Sequence, residues 1–370
     1  MISSGVDSGP IVINTLNEYI SIIKEKKLSD YYFRGENEKY QTISSSLLRK
    51  DKSFLLKNNN SSFYEDVVNY YYSEIASNIG ELERKNFLAF SQHHGLTTNL
   101  LDFTTSPLVA LYFACSTTNS KLSNQKGYVY LIDKKNTIDI SKLINDLIEP
   151  PAQSYNILKM FNKKQFFETI GMYLDDFFWR NDNNIEFNNI LTEQLLHLSK
   201  ITNGFSTFIE EFNECKKGSD IDKIGEFLSN YLSRYGINIE GVPFLTCYYL
   251  ILLMEYFDSL SFMSFVKPKN IESLEIAFPK MPYFIYKTPY KFDRIRNQEG
   301  IFIYQQYYTY ATKNEDKPNS ILKQKITPDG TIVINNQDEI LEELDFIGIN
   351  TKSIYGDFDN IANYINNKFF

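Results

Sequence analysis

The sequence predicts an α+β protein, with a mixed sheet core assembled from the two ends of the chain and a large helical insertion of about 130 residues between them. Three observations carry the prediction. Short runs rich in β-branched and aromatic residues, at 31–35, 127–133, 283–286, 301–304 and 331–334, fall toward the two ends. Segments at 190–198, 205–212, 224–232 and 242–257 instead repeat their apolar residues at helical spacing between Asn and Gly turns. The stretch QHHGLTTNLLDFTTSPLVALYFAC, residues 92–115, reads as a helix end, a polar turn, a strand and a buried helix in succession. The predicted organisation is a core from 1–140 and 276–370, with the insertion at 141–275.

Taken in order, residues 11–28 place Ile11, Leu16, Tyr19, Ile20 and Ile23 ahead of a lysine-rich end, the pattern of an amphipathic helix with cations near its C-terminus. Residues 31–35 form a short aromatic strand. Arg34 lies on the face opposite Phe33, and Gly35 admits the close approach of another chain or a ligand. The serine run at 40–49, ending in Leu47, Leu48 and Arg49, either lines a pocket or caps a helix. Residues 50–62 and 116–126 are polar loops, and 63–79 is a helix with Phe63, Val67, Tyr70 or Tyr71, Ile75 and Ile79 inward. A helix over 82–90 ends at the two histidines, with Gly95 as its left-handed stop. Ser106 as N-cap and Pro107 at the first helical position open an apolar helix. Short helices at 340–346 and 358–365 close the sequence.

The polar residues between these elements mark the candidate site. His93, His94, Asp102, Thr104 and Ser106 fall at the junctions of buried elements, where unpaired polar groups destabilise by about 1–3 kcal/mol each, so they read as a pocket wall. Of 38 basic residues only seven are Arg, and four of these, Arg34, Arg49, Arg294 and Arg296, fall in motif-like segments. In a lysine-biased chain, arginine marks places that need a planar fork of donors for phosphate or carboxylate, or a buried ion pair. Gln298 and Glu299 stand at the entrance of the 301–304 strand, and alternation sends one to each face.

A net charge of −8 and a pI near 5.2 argue against a bulk nucleic-acid or anionic-membrane surface. Small-molecule or protein partners come first. Cys115, Cys215 and Cys247 lie far apart in apolar surroundings and suggest neither a metal site nor a disulfide framework. No signal peptide and no run of about 18 apolar residues is present, so the expected location is cytoplasmic.

Phe33-Arg34-Gly35, the Leu47–Arg49 end of the serine run and above all QHHGLTTNLLDFTTSPLVALYFA resemble the bacterial FRG domain, as do the later RIRNQEGIF and ILEELDFIGIN. The chain departs from that pattern at Asn99, where members commonly carry Arg, and at Phe103, where they carry Trp. The resemblance implies a protein found near defence and mobile-element genes. A more distant likeness to ADP-ribosyltransferases joins Arg34-Gly35, Thr104-Thr105-Ser106 ahead of Ala110 and Phe113, and Gln298-Glu299 ahead of Ile301, in that order. It implies an ADP-ribosyltransferase-like sheet core and NAD as substrate. Arg34 would hold the pyrophosphate, Thr104 and Ser106 the ribose, and Glu299 would stabilise the charge that develops as the glycosidic bond breaks. His93 or His94 would orient substrate or take a proton.

The expected function is therefore an intracellular effector of phage-defence or toxin type that transfers ADP-ribose to a macromolecule, protein or nucleic acid, or cleaves NAD. Two other classes fit the same residues. One is a metal-independent ribonuclease or phosphotransfer enzyme using His93, His94, Arg34 and Arg49. The other is a non-catalytic nucleotide-sensing module whose helical insertion contacts a partner protein.

Overall fold

The computed structural model describes residues 9–49, 54–57, 63–116, 126–161, 163–202, 207–216, 221–237, 242–261, 276–289, 291–311 and 319–369. The polar stretches read as loops at 50–62 and 116–126 fall largely outside them, apart from one turn of helix at Phe54–Lys57. The described strands are β1 (Ile11–Ile13), β2 (Tyr31–Glu36), β3 (Leu100–Thr104), β4 (Gly127–Asp133), β5 (Thr137–Asp139), β6 (Tyr283–Tyr286), β7 (Gly300–Tyr304), β8 (Tyr307–Ala311), β9 (Asn319–Lys323) and β10 (Gly330–Ile334).

Eight of them make one mixed sheet in the order β1-β10-β4-β2-β3-β7-β6-β5, while β8 and β9 form a separate hairpin. The outermost pairs, β1 with β10 and β5 with β6, are parallel, and the inner pairs are antiparallel. The protein is thus α+β, with strands from both ends of the sequence interleaved. The central position of β2 between β4 and β3 comes from its aromatic alternation. Tyr32 turns to one face and Phe33 to the other, and both are buried.

Phe33 stands directly opposite Thr104, so the two side chains share a face. On that face two helical layers lie side by side. One half packs Phe33, Val129, Leu131, Ile332 and Ile334 under the helices Leu16–Glu25, Pro107–Cys115 and Gln337–Phe346. The other packs Leu100, Phe284, Tyr286, Phe302 and Tyr304 under Lys164–Asn181, Asn184–Thr202 and Phe244–Ser261. The opposite face carries a smaller cluster of Tyr32, Leu101, Phe103, Ile132, Ile285, Ile301, Ile303 and Ile326. The helical stretch read as an insertion therefore shares one core with the strands it covers.

Several local expectations need correction. Ile11–Ile13 is not helical: it forms β1, with Ile11 beside Ile332, and the helix starts only at Leu16, where the Thr15 hydroxyl accepts from the Glu18 N–H at 3.2 Å. The helix expected over 82–90 is two, Glu81–Lys85 and Phe87–His93, parted at Asn86. Gly95 does take the left-handed conformation, with φ +91°. Ser106 holds the N-cap position of the Pro107–Cys115 helix, but its side chain makes no capping bond.

Gly35 serves close packing. A Cβ there would lie 1.9 Å from the Ala110 carbonyl oxygen, so what approaches this glycine is the Pro107–Cys115 helix. Gly127 does the same on β4, where a Cβ would stand 2.2 Å from the Ala114 carbonyl. Two glycines on adjacent strands thus let the apolar helix sink onto the sheet.

Candidate functional site

The sheet parts between β2 and β3. β2 is in register with β4 from Tyr31 through Glu36, and β3 with β7 from Leu100 through Thr104, yet β2 and β3 meet at the single pair Phe33–Thr104. Arg34 bridges the gap beyond that pair. Its Nε donates to Glu36 Oε1 at 2.9 Å and its Nη1 to the Asp102 carbonyl at 2.7 Å, so the guanidinium supplies the donor that a paired strand amide would. The Arg34 and Glu36 side chains are 14% and 6% exposed, which makes this an ion pair shielded from water.

A cleft of about 210 Å³ opens here, beside the parting of β2 and β3. Its polar lining is Arg34, Asp102, Thr104, Arg294 and Gln298, and Phe33, Phe103 and Phe113 supply apolar wall. Asp102 is held from behind. Gln92 Nε2 donates to its Oδ1 at 2.9 Å, the Thr98 hydroxyl donates to Gln92 Oε1, and the Leu100 N–H donates to that hydroxyl at 3.2 Å. A surface carboxylate is thereby given a fixed direction. Thr104 is already engaged, its Oγ1 donating to the Gln298 carbonyl at 2.6 Å and accepting from the Ser106 N–H at 2.9 Å. Gln298 is half-buried, and its Nε2 has no hydrogen-bond partner among the described residues.

The residues singled out from the sequence divide at this point. Arg34, Gly35, Asp102, Thr104 and Gln298 come together at the cleft. Glu299 does not line it. With φ +45° it turns the chain from the short helix Asp293–Asn297 into β7, and its exposed carboxylate accepts from the Thr105 hydroxyl at 2.9 Å. Ser106 does not line it either. Arg49 lies on the Ser46–Leu48 turn, with its Nε donating to the Ser44 carbonyl at 3.2 Å. The neighbouring serines fasten loops: Ser46 Oγ exchanges hydrogen bonds with the backbone of Thr98, and the Ser45 N–H donates to Gln305 Oε1 at 2.8 Å. Asn99 is buried, donating to the Gln305 carbonyl at 3.1 Å.

His93 stacks on Phe292 with ring centres 5.3 Å apart, and His94 lies 4.4 Å from Phe90. Burial, the neighbouring His94 and the positive charge of Arg294 push the His93 imidazole below its ordinary value, against a smaller upward pull from Asp357. Arg294 is the residue the sequence-based site lacked. It lines the cleft with its guanidinium 5.1 Å from the Tyr355 ring centre, and the scarcity of arginine in the chain was the signal pointing to it.

Residues 29–123 match the FRG domain. This stretch is an FRG domain. It contributes β2, β3 and the Pro107–Cys115 helix, hence the split, the bridging arginine and the close-packed glycine. The FRG domain supplies one wall of the cleft, and Arg294 and Gln298 from beyond it supply the other. No curated protein and no solved structure matches the chain. Among the described residues no group of side chains is arranged to hold a metal ion, and no helix is long and apolar enough to cross a membrane.

Proposed function

We propose that the cleft binds NAD and promotes rupture of its nicotinamide–ribose bond, with ADP-ribose passing to water or to a macromolecular acceptor. The observation that carries this reading is the convergence of Arg34, Asp102 and Gln298 at a parting in a mixed sheet, from segments whose order follows the ADP-ribosyltransferase pattern. Pockets that enclose a whole small ligand measure about 300–1,000 Å³. A cleft of about 210 Å³ seats one nucleoside-sized end of a dinucleotide and leaves the remainder outside, where the exposed Arg294 provides a cation for phosphate.

Gln298 Nε2, a buried donor in need of an acceptor, suits the carboxamide oxygen of nicotinamide. When the C1′–N bond breaks, nicotinamide leaves with the bonding pair and positive charge develops on the ribose. Water or an acceptor hydroxyl then adds at C1′ and gives up a proton. In this reading the stabilising carboxylate is Asp102, fixed by Gln92 at the cleft, in place of Glu299, which Thr105 holds outside it. Arg34 keeps the two strands apart at a set distance, so its contribution is positional. An FRG protein of this kind would act as an effector in phage defence or as a toxin.

The test is nicotinamide release from NAD by the purified protein. Release is expected to fall about 10²–10³-fold in Asp102→Asn and to persist in Glu299→Ala. Absence of release from the folded wild type would end the proposal, and loss in Glu299→Ala with retention in Asp102→Asn would return the carboxylate role to Glu299.

A further inference from the structure

A larger cavity, of about 460 Å³, lies away from the cleft, between the helical layer and the amino ends of β5 and β6. We propose that it is a second small-molecule site, built for a purine mononucleotide that carries an exocyclic amino group. Its size falls in the range of about 300–1,000 Å³ that encloses such a ligand. What specifies the chemistry is Gln324, which lines the cavity and is only 4% exposed. Its Nε2 donates to the carbonyls of Met281 and Pro282, at 3.1 and 3.2 Å, which fixes the direction of the amide. The Oε1 end is buried and has no partner among the described residues.

Asn183, from the junction of the two long helices, lines the same cavity, and its amide oxygen too is buried and has no partner among the described residues. Two unmet acceptors call for a ligand that donates N–H groups, and a ligand that supplies them removes the desolvation penalty of the empty site. Phe278 and Tyr283, both half-buried, supply aromatic lining, and Tyr283 is pinned there because its hydroxyl accepts from the Thr327 N–H at 3.0 Å. Of the two cations, Lys280 is engaged by Glu186 at 2.5 Å and by the Phe187 ring at 4.7 Å. Lys325 is exposed, has no ion pair among the described residues, and is placed for a phosphate. Since Asn183 comes from the helical layer and Gln324 from the segment after β9, an occupant would tie the two together, as a regulatory ligand would.

The experiment is calorimetric titration of the full chain with adenosine 5′-monophosphate, inosine 5′-monophosphate and inorganic phosphate. The adenine nucleotide is expected to bind one per chain. The inosine nucleotide, which turns a carbonyl where adenine has its amino group, should bind at least about tenfold more weakly. Gln324→Met should weaken the adenine nucleotide about tenfold and remove the discrimination, and Lys325→Ala, an exposed change, should weaken both nucleotides alike and flatten their salt dependence. Binding should survive Arg294→Ala, which alters the cleft alone. The proposal is overturned if the folded wild type gives no adenine-nucleotide binding, if both nucleotides bind equally, or if Arg294→Ala rather than Lys325→Ala removes binding. Should Gln324→Met fail to fold, Lys325→Ala and the inosine comparison decide.

Discussion

The FRG domain and the helical layer are specified in different ways. In the FRG domain the decisive contacts are atom-specific: Gly35 under the Ala110 carbonyl, Arg34 between Glu36 and the Asp102 carbonyl, and Gln92 between Thr98 and Asp102. In the helical layer they are matters of volume, with Phe177, Phe187, Leu191, Leu195, Tyr249, Leu250 and Leu253 filling one apolar interior. An atom-specific contact tolerates few substitutions, whereas a filled volume tolerates many combinations. That difference explains why the FRG domain carries a recognisable signature and the helices do not.

Glycines give the sharpest way to break the comparison. Gly35→Ala sets a methyl group against rigid backbone at 1.9 Å and is expected to destabilise by more than about 4 kcal/mol, seen as loss of cooperative urea unfolding. Gly171 in the Lys164–Asn181 helix would place a Cβ 2.9 Å from Val242 Cγ1 and 3.1 Å from its Cγ2, side-chain atoms that must give way where Gly35 meets rigid backbone. Gly171→Ala should therefore cost about 1–2 kcal/mol, overpacking partly offset by the helix propensity of alanine, and so stay well below Gly35→Ala. A folded, stable Gly35→Ala would remove the distinction.

Conservative exchanges sharpen it. Arg34→Lys keeps the charge but not the fork, and should cost about 2 kcal/mol, with Arg34→Ala costing about 3 kcal/mol because Glu36 is left shielded and unpaired. Leu250→Met, of similar conservatism in the other region, should cost under about 1.5 kcal/mol by the same denaturation measurement. Gln92→Leu, which strands the Thr98 hydroxyl and frees Asp102 to swing, should cost about 1 kcal/mol while lowering nicotinamide release more than stability.

The smallest effect belongs to His93. Its folded value lies below the ordinary 6.5, so the unfolded chain binds the proton more readily. Its stabilising contribution is complete above about pH 6.5 and is lost as pH falls through that value toward the lowered one. Melting temperatures between pH 7.5 and 5.5 should accordingly decline less in His93→Phe than in wild type.

Much of this was legible in the residues. The strands β2, β4, β6, β7 and β10 announce themselves by composition, and Pro107 and Gly95 mark a helix start and a helix end as expected. The Lys164–Asn181 helix was not among the expected ones, although Phe166, Phe167, Ile170, Leu174, Phe177 and Phe178 recur at helical spacing. Other features lie beyond local pattern. Ile11–Ile13 becomes a strand only because β10, over 300 residues later, offers an edge. β5 has only three residues, and β8 and β9 are settled by their pairing with each other apart from the main sheet. Within the candidate site, the run Gln298-Glu299 suggested strand alternation, but the left-handed turn at Glu299 comes before the strand begins and decides which side chain meets the cleft. An ion pair was one of the two readings open for Arg34, but that its partner is Glu36 and that a second donor goes to the Asp102 carbonyl comes from the fold.

The lone rung at Phe33–Thr104 has a mechanical consequence. A sheet joined across its middle by one backbone pair and the Arg34 bridge has no ladder there to break, so its two halves can twist relative to each other more readily than fully paired strands. Amide protons beside that rung should exchange with solvent sooner than those deeper in β4 or β7, and anything wedged into the opening would lock the twist, linking occupancy to the stiffness of the whole sheet.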